Sequence, residues 1–313
     1  MAQSSSTNTS AQRKVWLVTG CSSGLGKHIA CAVLARGDKI IATARQLSDL
    51  DYIKDQPGGT GRAHCITLDV TASSERIQKE IDKAIEHFGR IDVLVNNAGY
   101  VLSGVLEQIS DEELRNQMNT NFFGAISVTR CILPYMRKAH SGVILFMGSI
   151  SGWYGVGAGS PYSASKFAIE GAAESLARET AHLNIRTHIL VLGQFRTNIL
   201  SSMRKAGPLC PTTGLADYDF IKTEMAVRHK ETHGKQPGDP RAAAEKVVDI
   251  GRMENLSEAE QQGLDSLRIP LGTDSIQVMQ TKCEQTLQHL KAWSKFAAST
   301  DYEGVEAVPS YLR

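Results

Sequence analysis

The chain has 313 residues, 42% hydrophobic and 21% charged, a composition that supports a globular core. Its net charge of +1 gives no electrostatic reason to expect nucleic acid or an anionic membrane as a partner. The 6 cysteines, Cys21, Cys31, Cys65, Cys131, Cys210 and Cys283, form no CxxC pair. Neither a disulfide framework nor a zinc knuckle is indicated, and a reducing, cytoplasmic setting fits.

Met1 to about Gln12 is rich in Ser and Thr and has no apolar run, so it is neither a signal peptide nor an anchor. It is expected to be a disordered leader (1–13), followed by a single domain (14–313). No segment has the apolar length needed to cross a bilayer. Val15 to Val18 is a short apolar run that stops at Gly20, as a buried strand does. Helical spacing follows from about Leu25 to Ala35. Further strands are expected at Lys39–Thr43, Cys65–Leu68, Asp92–Val95, Val143–Phe146 and Thr187–Val191. Between them lie an amphipathic stretch near Ile77 to Phe88 and a helix from about Asp111 to Met136. Ser110 is a candidate N-cap ahead of Glu113. Apolar strands alternating with helices predict an α/β fold, a parallel sheet covered on both faces.

After about Arg196 the alternation stops. Helices are expected near Tyr218 to Lys230, Ala242 to Ile250 and Val278 to Phe296. No linker separates this part from the sheet, so 198–265 reads as a helical lid or extension of the same domain.

Two features carry chemistry. Thr19-Gly20-Cys21-Ser22-Ser23-Gly24-Leu25-Gly26 sits at the first strand–helix junction. Gly20 can turn the chain tightly, Gly24 can let a ligand approach the backbone, and Gly26 can let helix and strand pack closely. The helix N-terminus then offers N–H groups to a pyrophosphate. Tyr162 and Lys166 lie four apart and share one helix face. Alone, they would be two side chains separated by one turn. Paired in a site, the cation favours the phenolate and lowers the tyrosine's pKa.

The order GxxxGxG, then Asn96-Asn97-Ala98-Gly99, then Ser149, then Tyr162-xxx-Lys166 resembles the short-chain dehydrogenase/reductase family, over about Lys14 to Thr197. The resemblance implies a single Rossmann-type, doubly wound sheet of about seven strands. Its last strand should lie in the C-terminal third, near Arg268 to Leu271. It implies that Ser149 binds the substrate carbonyl and that Tyr162 is the general acid in reduction and base in oxidation. Lys166 would hold the nicotinamide ribose and lower the tyrosine's pKa. Asn121, favoured over Asn119 by its spacing to Gly124, would kink its helix and order a water relaying protons to Lys166. Gly20, Ser22, Ser23, Gly24, Leu25, Gly26, Asn97, Ala98 and Gly99 would surround the nucleotide, Asp69 would contact adenine, and Thr197 would touch the cofactor's phosphate or carboxamide.

Cofactor choice rests on the end of the second strand. NAD enzymes of this type place an acid there. Here Thr43-Ala44-Arg45-Gln46 has none, and Arg45 suits a 2′-phosphate, so NADP(H) is expected. Ser23 stands where many NADP-binding members carry a second basic residue, and Lys27 lies too far into the helix to replace it. Leu192-Gly193 replaces the family's Pro-Gly, which leaves the turn's conformation open. His229 and His233 have zinc-like spacing but no nearby third ligand, so a solvated helix face is the better reading and no metal is expected. Cys21 reads as a small turn-filling residue, although its place in the phosphate loop also admits a redox switch.

Tyr100, Trp153, Tyr154 and Phe195 are expected walls of the substrate pocket, which favours a bulky hydrophobic carbonyl or alcohol. The family pattern predicts a homodimer or homotetramer, formed through the helices near 111–136 and 162–182. Two other readings compete. One is a lyase, isomerase or cyclase that retains the cofactor, since the same Tyr–Lys pair can move protons without hydride. The other is an idle NADP-binding regulator, which the intact Ser149, Tyr162 and Lys166 disfavour.

Overall fold

The computed structural model describes residues 13–199, 204–205, 215–264 and 267–302. The expected leader, except Arg13, and Cys210 lie outside the described residues. In chain order the elements are β1 (Val15–Val18), α1 (Gly24–Ala35), β2 (Lys39–Ala44), α2 (Gly59–Arg62), β3 (Ala63–Thr67), α3 (Ser74–Phe88), β4 (Val93–Asn96) and β5 (Leu102–Ser103). Then come α4 (Asp111–Met118), α5 (Gly124–Ala139), β6 (Gly142–Met147), α6 (Ser160–Thr180), β7 (Ile185–Leu192) and β8 (Arg204–Lys205). The last elements are α7 (Asp219–Thr232), α8 (Pro240–Arg252), α9 (Glu258–Gly263), β9 (Arg268–Leu271) and α10 (Thr273–Ala298).

Seven parallel strands form one sheet in the order β3-β2-β1-β4-β6-β7-β9. Strand nine occupies the stretch expected for the missing edge and pairs Ile269 with Leu190. The strands are continuously apolar because both faces are covered. Trp16 and Val18 point into a core shared with α1 and α8. Val15 and Leu17 point into the opposite core, shared with α3, α5 and α6.

Helix ends follow their sequence signals. Ser110 and Glu113 form a full capping box on α4, and Gly89 ends α3 in the left-handed region. The helix expected over 111–136 is interrupted. Residues Asn119–Phe123 form a π-helical turn between α4 and α5. Such turns are rare and concentrate at functional sites.

The expected extension over 198–265 is not uniform. Within it, α8 is core, with Val247 and Val248 fully buried. A Cβ on Gly251 would stand 2.2 Å from the Trp16 ring. Asp38, also fully buried, accepts from Trp16 Nε1 at 2.9 Å and pairs with Arg252 at the end of α8. By contrast α10 is exposed from residue 280 onward, and it begins five residues earlier than expected. No described helix is long and apolar enough to cross a membrane.

Candidate active site

A cleft of about 860 Å³ opens at the carboxyl ends of the strands, where the strand order reverses between β1 and β4. Open parallel sheets bind ligands at such a switch point. Ser149, Tyr162, Lys166 and Asn121 all line it. So do Gly20, Ser22, Ser23, Gly24, Leu25, Arg45, Asp69, Asn97, Ala98, Gly99 and Thr197. Of the predicted catalytic and cofactor-binding residues, Gly26 alone is not part of the lining.

Gly26 acts beneath the surface. A Cβ there would stand 2.2 Å from the Gly20 carbonyl and 2.5 Å from Asn97 Nδ2. Helix α1 therefore approaches β1 and β4 only because this residue has no side chain. Gly20 has φ +72°, and a Cβ on it would meet the Ala98 backbone at 2.9 Å. Thr19 Oγ1 accepts from the N–H groups of Asn97 (2.9 Å) and Ala98 (3.0 Å). Asn97 Nδ2 donates back to the carbonyls of Thr19 and Gly20. These bonds fix the turn to the end of β4. The first turn of α1 holds no acidic residue, and its cap Ser23 makes no side-chain bond to it. Its leading N–H groups suit an anion.

Tyr52 was missed by sequence reasoning. Its hydroxyl donates to the Cys21 carbonyl at 2.9 Å and braces the glycine turn. Cys21 itself is fully buried, its S–H directed at the Val18 carbonyl, and burial pushes the thiol up to about 12. A thiol held in that form is a turn-filling group rather than a redox switch. Arg45 is exposed at the mouth, just past β2. Burial opposes ionisation of Asp69, yet its two Thr71 hydrogen bonds, Arg45 and Arg76 hold the carboxyl below its usual range.

The reactive groups come from β6 and α6. Ser149 follows β6, and its Oγ accepts from the Ser151 N–H at 3.1 Å. Tyr162 and Ser149 line the same cleft, and the serine hydroxyl favours the phenolate. Lys166 Nζ donates to the Met147 carbonyl at 2.6 Å and lies 5.6 Å from the Tyr162 ring centroid. Burial raises the phenol, and the Ser149 hydroxyl only partly offsets it. The ammonium is directed to a strand carbonyl and the ring, and burial pulls it down to about 8 against the attraction of Glu170.

Asn121 lies in the π-helical turn, as its expected kink requires. Its Nδ2 donates to the Tyr100 carbonyl (3.0 Å) and Ser165 Oγ (3.1 Å), while Oδ1 accepts from the Tyr100 N–H (3.1 Å). Both amide N–H groups are thus spent on tying the Tyr100 loop to α6.

Tyr100, Tyr154 and Phe195 line the cleft as expected, but Trp153 does not. Its ring packs into the core on the α6 side, with the Arg268 guanidinium 5.8 Å from its centroid. Met225, Arg228 and Thr232 of α7, with Gln236 beyond it, complete the outer wall. No apolar stripe of α7 marked them in the sequence. The turn after β7 keeps its shape without proline through Asp274, whose Oδ2 accepts from the Gln194 N–H at 2.7 Å. A Cβ on Gly193 would collide with that carboxylate at 1.9 Å. Among the described residues no cluster of three potential metal ligands occurs.

Residues 14–207 match the family model described as short chain dehydrogenase. The chain belongs to the short-chain dehydrogenase/reductase family. It is therefore an oxidoreductase of CH–OH and C=O groups that uses a nicotinamide cofactor. Among its relatives is a 3-ketodihydrosphingosine reductase from Bacteroides thetaiotaomicron, 35% identical over 237 residues, which span 76% of this chain and 84% of the relative. A crystal structure of a short-chain dehydrogenase from Streptomyces avermitilis is 33% identical and superposes with a TM-score of 0.79, covering 93% of this chain and all of that one. A structure of ElxO with NADP bound is 26% identical, with a TM-score of 0.63 over 78% of this chain and 93% of its own.

Proposed function

We propose that this short-chain dehydrogenase/reductase is an NADP(H)-dependent enzyme that interconverts a ketone or aldehyde with an alcohol on a bulky hydrophobic substrate. The observation that carries the reading is that Ser149, Tyr162 and Lys166 line one cleft with the glycine turn, with Lys166 Nζ beside the Tyr162 ring. Arg45 at the acid-free end of β2 supports NADP(H), because a guanidinium pairs with a 2′-phosphate that a carboxylate would repel. The NADP bound in ElxO agrees. Tyr100, Tyr154, Phe195 and Met225 give the substrate side apolar surface suited to a large carbonyl compound.

When bound, NADP(H) supplies or accepts the hydride. The proton belongs to the protein. Burial keeps the Tyr162 phenol protonated at neutral pH, the state an acid needs in carbonyl reduction. Ser149 donates to the carbonyl oxygen and orients it toward that phenol. Lys166 offsets the negative charge left on the tyrosine and holds the cofactor's ribose. Asn121 braces α6 through Ser165 and is the residue that would order a water relaying protons to Lys166. Glycine positions 20, 24 and 26, with Ser22, Ser23, Leu25, Asp69, Asn97, Ala98, Gly99 and Thr197, form the nucleotide bed. The domain from residue 14 onward works as one unit, cytoplasmic and assembled as a dimer or tetramer through α4, α5 and α6.

The test is NADPH consumption against a panel of bulky ketones, with Tyr162→Phe as control. Product formed while NADPH stays unconsumed would mean non-redox chemistry on this scaffold instead.

A further inference from the structure

One turn beyond Lys166 on α6, Glu170 is buried to 5% exposure. Its Oε2 accepts from Arg268 Nε at 2.6 Å, and Arg268 comes from the edge strand β9. The same guanidinium donates to Glu174 Oε2 at 2.8 Å. Glu170 Oε1 is buried and has no hydrogen-bond donor. It lies against Gly148, where an added Cβ would stand 3.4 Å from it. The preceding residue, Met147, supplies the carbonyl that binds Lys166 Nζ. Carboxylate and ammonium therefore flank the same end of β6. A buried carboxylate oxygen without a donor is costly unless nearby positive charge compensates it. Lys166 and Arg268 are the two charges available.

We propose that Glu170, paired with Arg268, is a positioning residue whose carboxylate supports the Lys166 ammonium beside Tyr162. Only its catalytic consequence rests on the functional reading above; the charge coupling does not. Glu170 faces Lys166 and Glu174 of α6 and Arg268 of β9. The turn from Gly148 to Gly152 and Ile189 of β7, packed against the same place, bring no charge. Lys166 itself faces the Tyr162 ring. The signs follow from these partners. Burial drives the ammonium toward neutrality and Glu170 opposes it, so losing the carboxylate's charge makes Lys166 release its proton at lower pH. Burial raises Glu170 toward its protonated form, and Arg268 only partly opposes this. Removing Arg268 therefore weakens Lys166 in the same direction.

The decisive measurement is the titration of Lys166 itself, followed by NMR of its 13C-labelled Cε and assigned with Lys166→Arg. The midpoint should fall by about one pH unit or more in Glu170→Gln, and by less in Arg268→Met. In NADPH-dependent ketone reduction the falling alkaline limb should move by the same amount, so that the loss grows with pH. A merely structural role would lower the rate equally at every pH. Should Glu170→Gln not fold, Arg268→Met carries the test. An unchanged Lys166 midpoint in the folded variants overturns the proposal. A lowered midpoint in a protein that reduces no carbonyl upholds the coupling and counts against the reductase reading alone.

Discussion

The nucleotide wall of the cleft, from Gly20 to Ala98, is held mainly by backbone, whereas the wall formed by Tyr154, Phe195 and α7 is made of side chains. On the first wall a single added carbon would collide with main-chain atoms, at 2.9 Å from Gly20 and 2.2 Å from Gly26. On the second, side-chain contacts tie α7 and the turn before it to the rest of the molecule, Ser103 to Met225 and Tyr218 to Glu107. A backbone wall tolerates little change and serves a constant ligand. A side-chain wall can vary while its scaffold stays the same. The reactive pair stands between them on α6.

The largest effect should come from that boundary. Tyr162→Phe keeps the ring and removes the proton, so kcat should fall by about 10²- to 10⁴-fold while NADPH affinity holds. Equal loss of affinity would move Tyr162 from the chemistry to the nucleotide wall. On that wall, Gly26→Ala should cost about 1–3 kcal/mol of stability and weaken NADPH binding, because the clash is with the Gly20 carbonyl rather than a flexible side chain. Thermal unfolding with and without NADPH separates the two losses. Arg45→Ala should narrow the preference for NADPH over NADH by about 10- to 100-fold, the worth of a charge-assisted hydrogen bond. An unchanged ratio would refute the NADP(H) assignment.

The pH dependence tests the pair as a unit. Lys166 titrates at about 8, lowered by burial, and is charged below that value. Tyr162 is raised by burial, so it stays protonated over the same range. Reduction should be sustained below pH 8 and decline as pH rises through it, by about ten-fold between pH 7 and 9. A rate that rises across that window would mean the phenolate, not the phenol, is the working form.

What was legible in the sequence follows the same division. Parallel strands buried on both faces read as unbroken apolar runs, and so β1, β2, β4, β6 and β7 were visible within a residue or two. Gly20, Gly24 and Gly26 were legible because only glycine meets the backbone demands there. Side-chain direction was not legible. Trp153 looked like a pocket wall, but the short turn at Ile150–Gly152 aims its ring at the α6 core and Arg268. Spacing placed Tyr162 and Lys166 on one face, yet the direction of the phenol's shift depends on burial, and the lysine's partner is the Met147 carbonyl on another element. Asp274 was also invisible in its role, since it reaches across 80 residues to fix the Gln194 turn.

The smallest predicted effect probes the side-chain wall. Met225 both lines the cleft and, through Sδ, accepts the Ser103 hydroxyl at 2.9 Å. Met225→Ala removes apolar surface from the substrate and the contact from Ser103. Each buried methylene is worth about 0.8 kcal/mol, roughly four-fold in affinity. The KM for a bulky ketone should therefore rise by about four- to ten-fold, with kcat and NADPH affinity little changed. Met225→Leu, of similar volume, should restore most of that loss if packing against substrate is what Met225 supplies. If Leu fails to restore it, the sulfur contact to Ser103 is the part that matters. The wall would then be held by its tether rather than by its fit to the substrate.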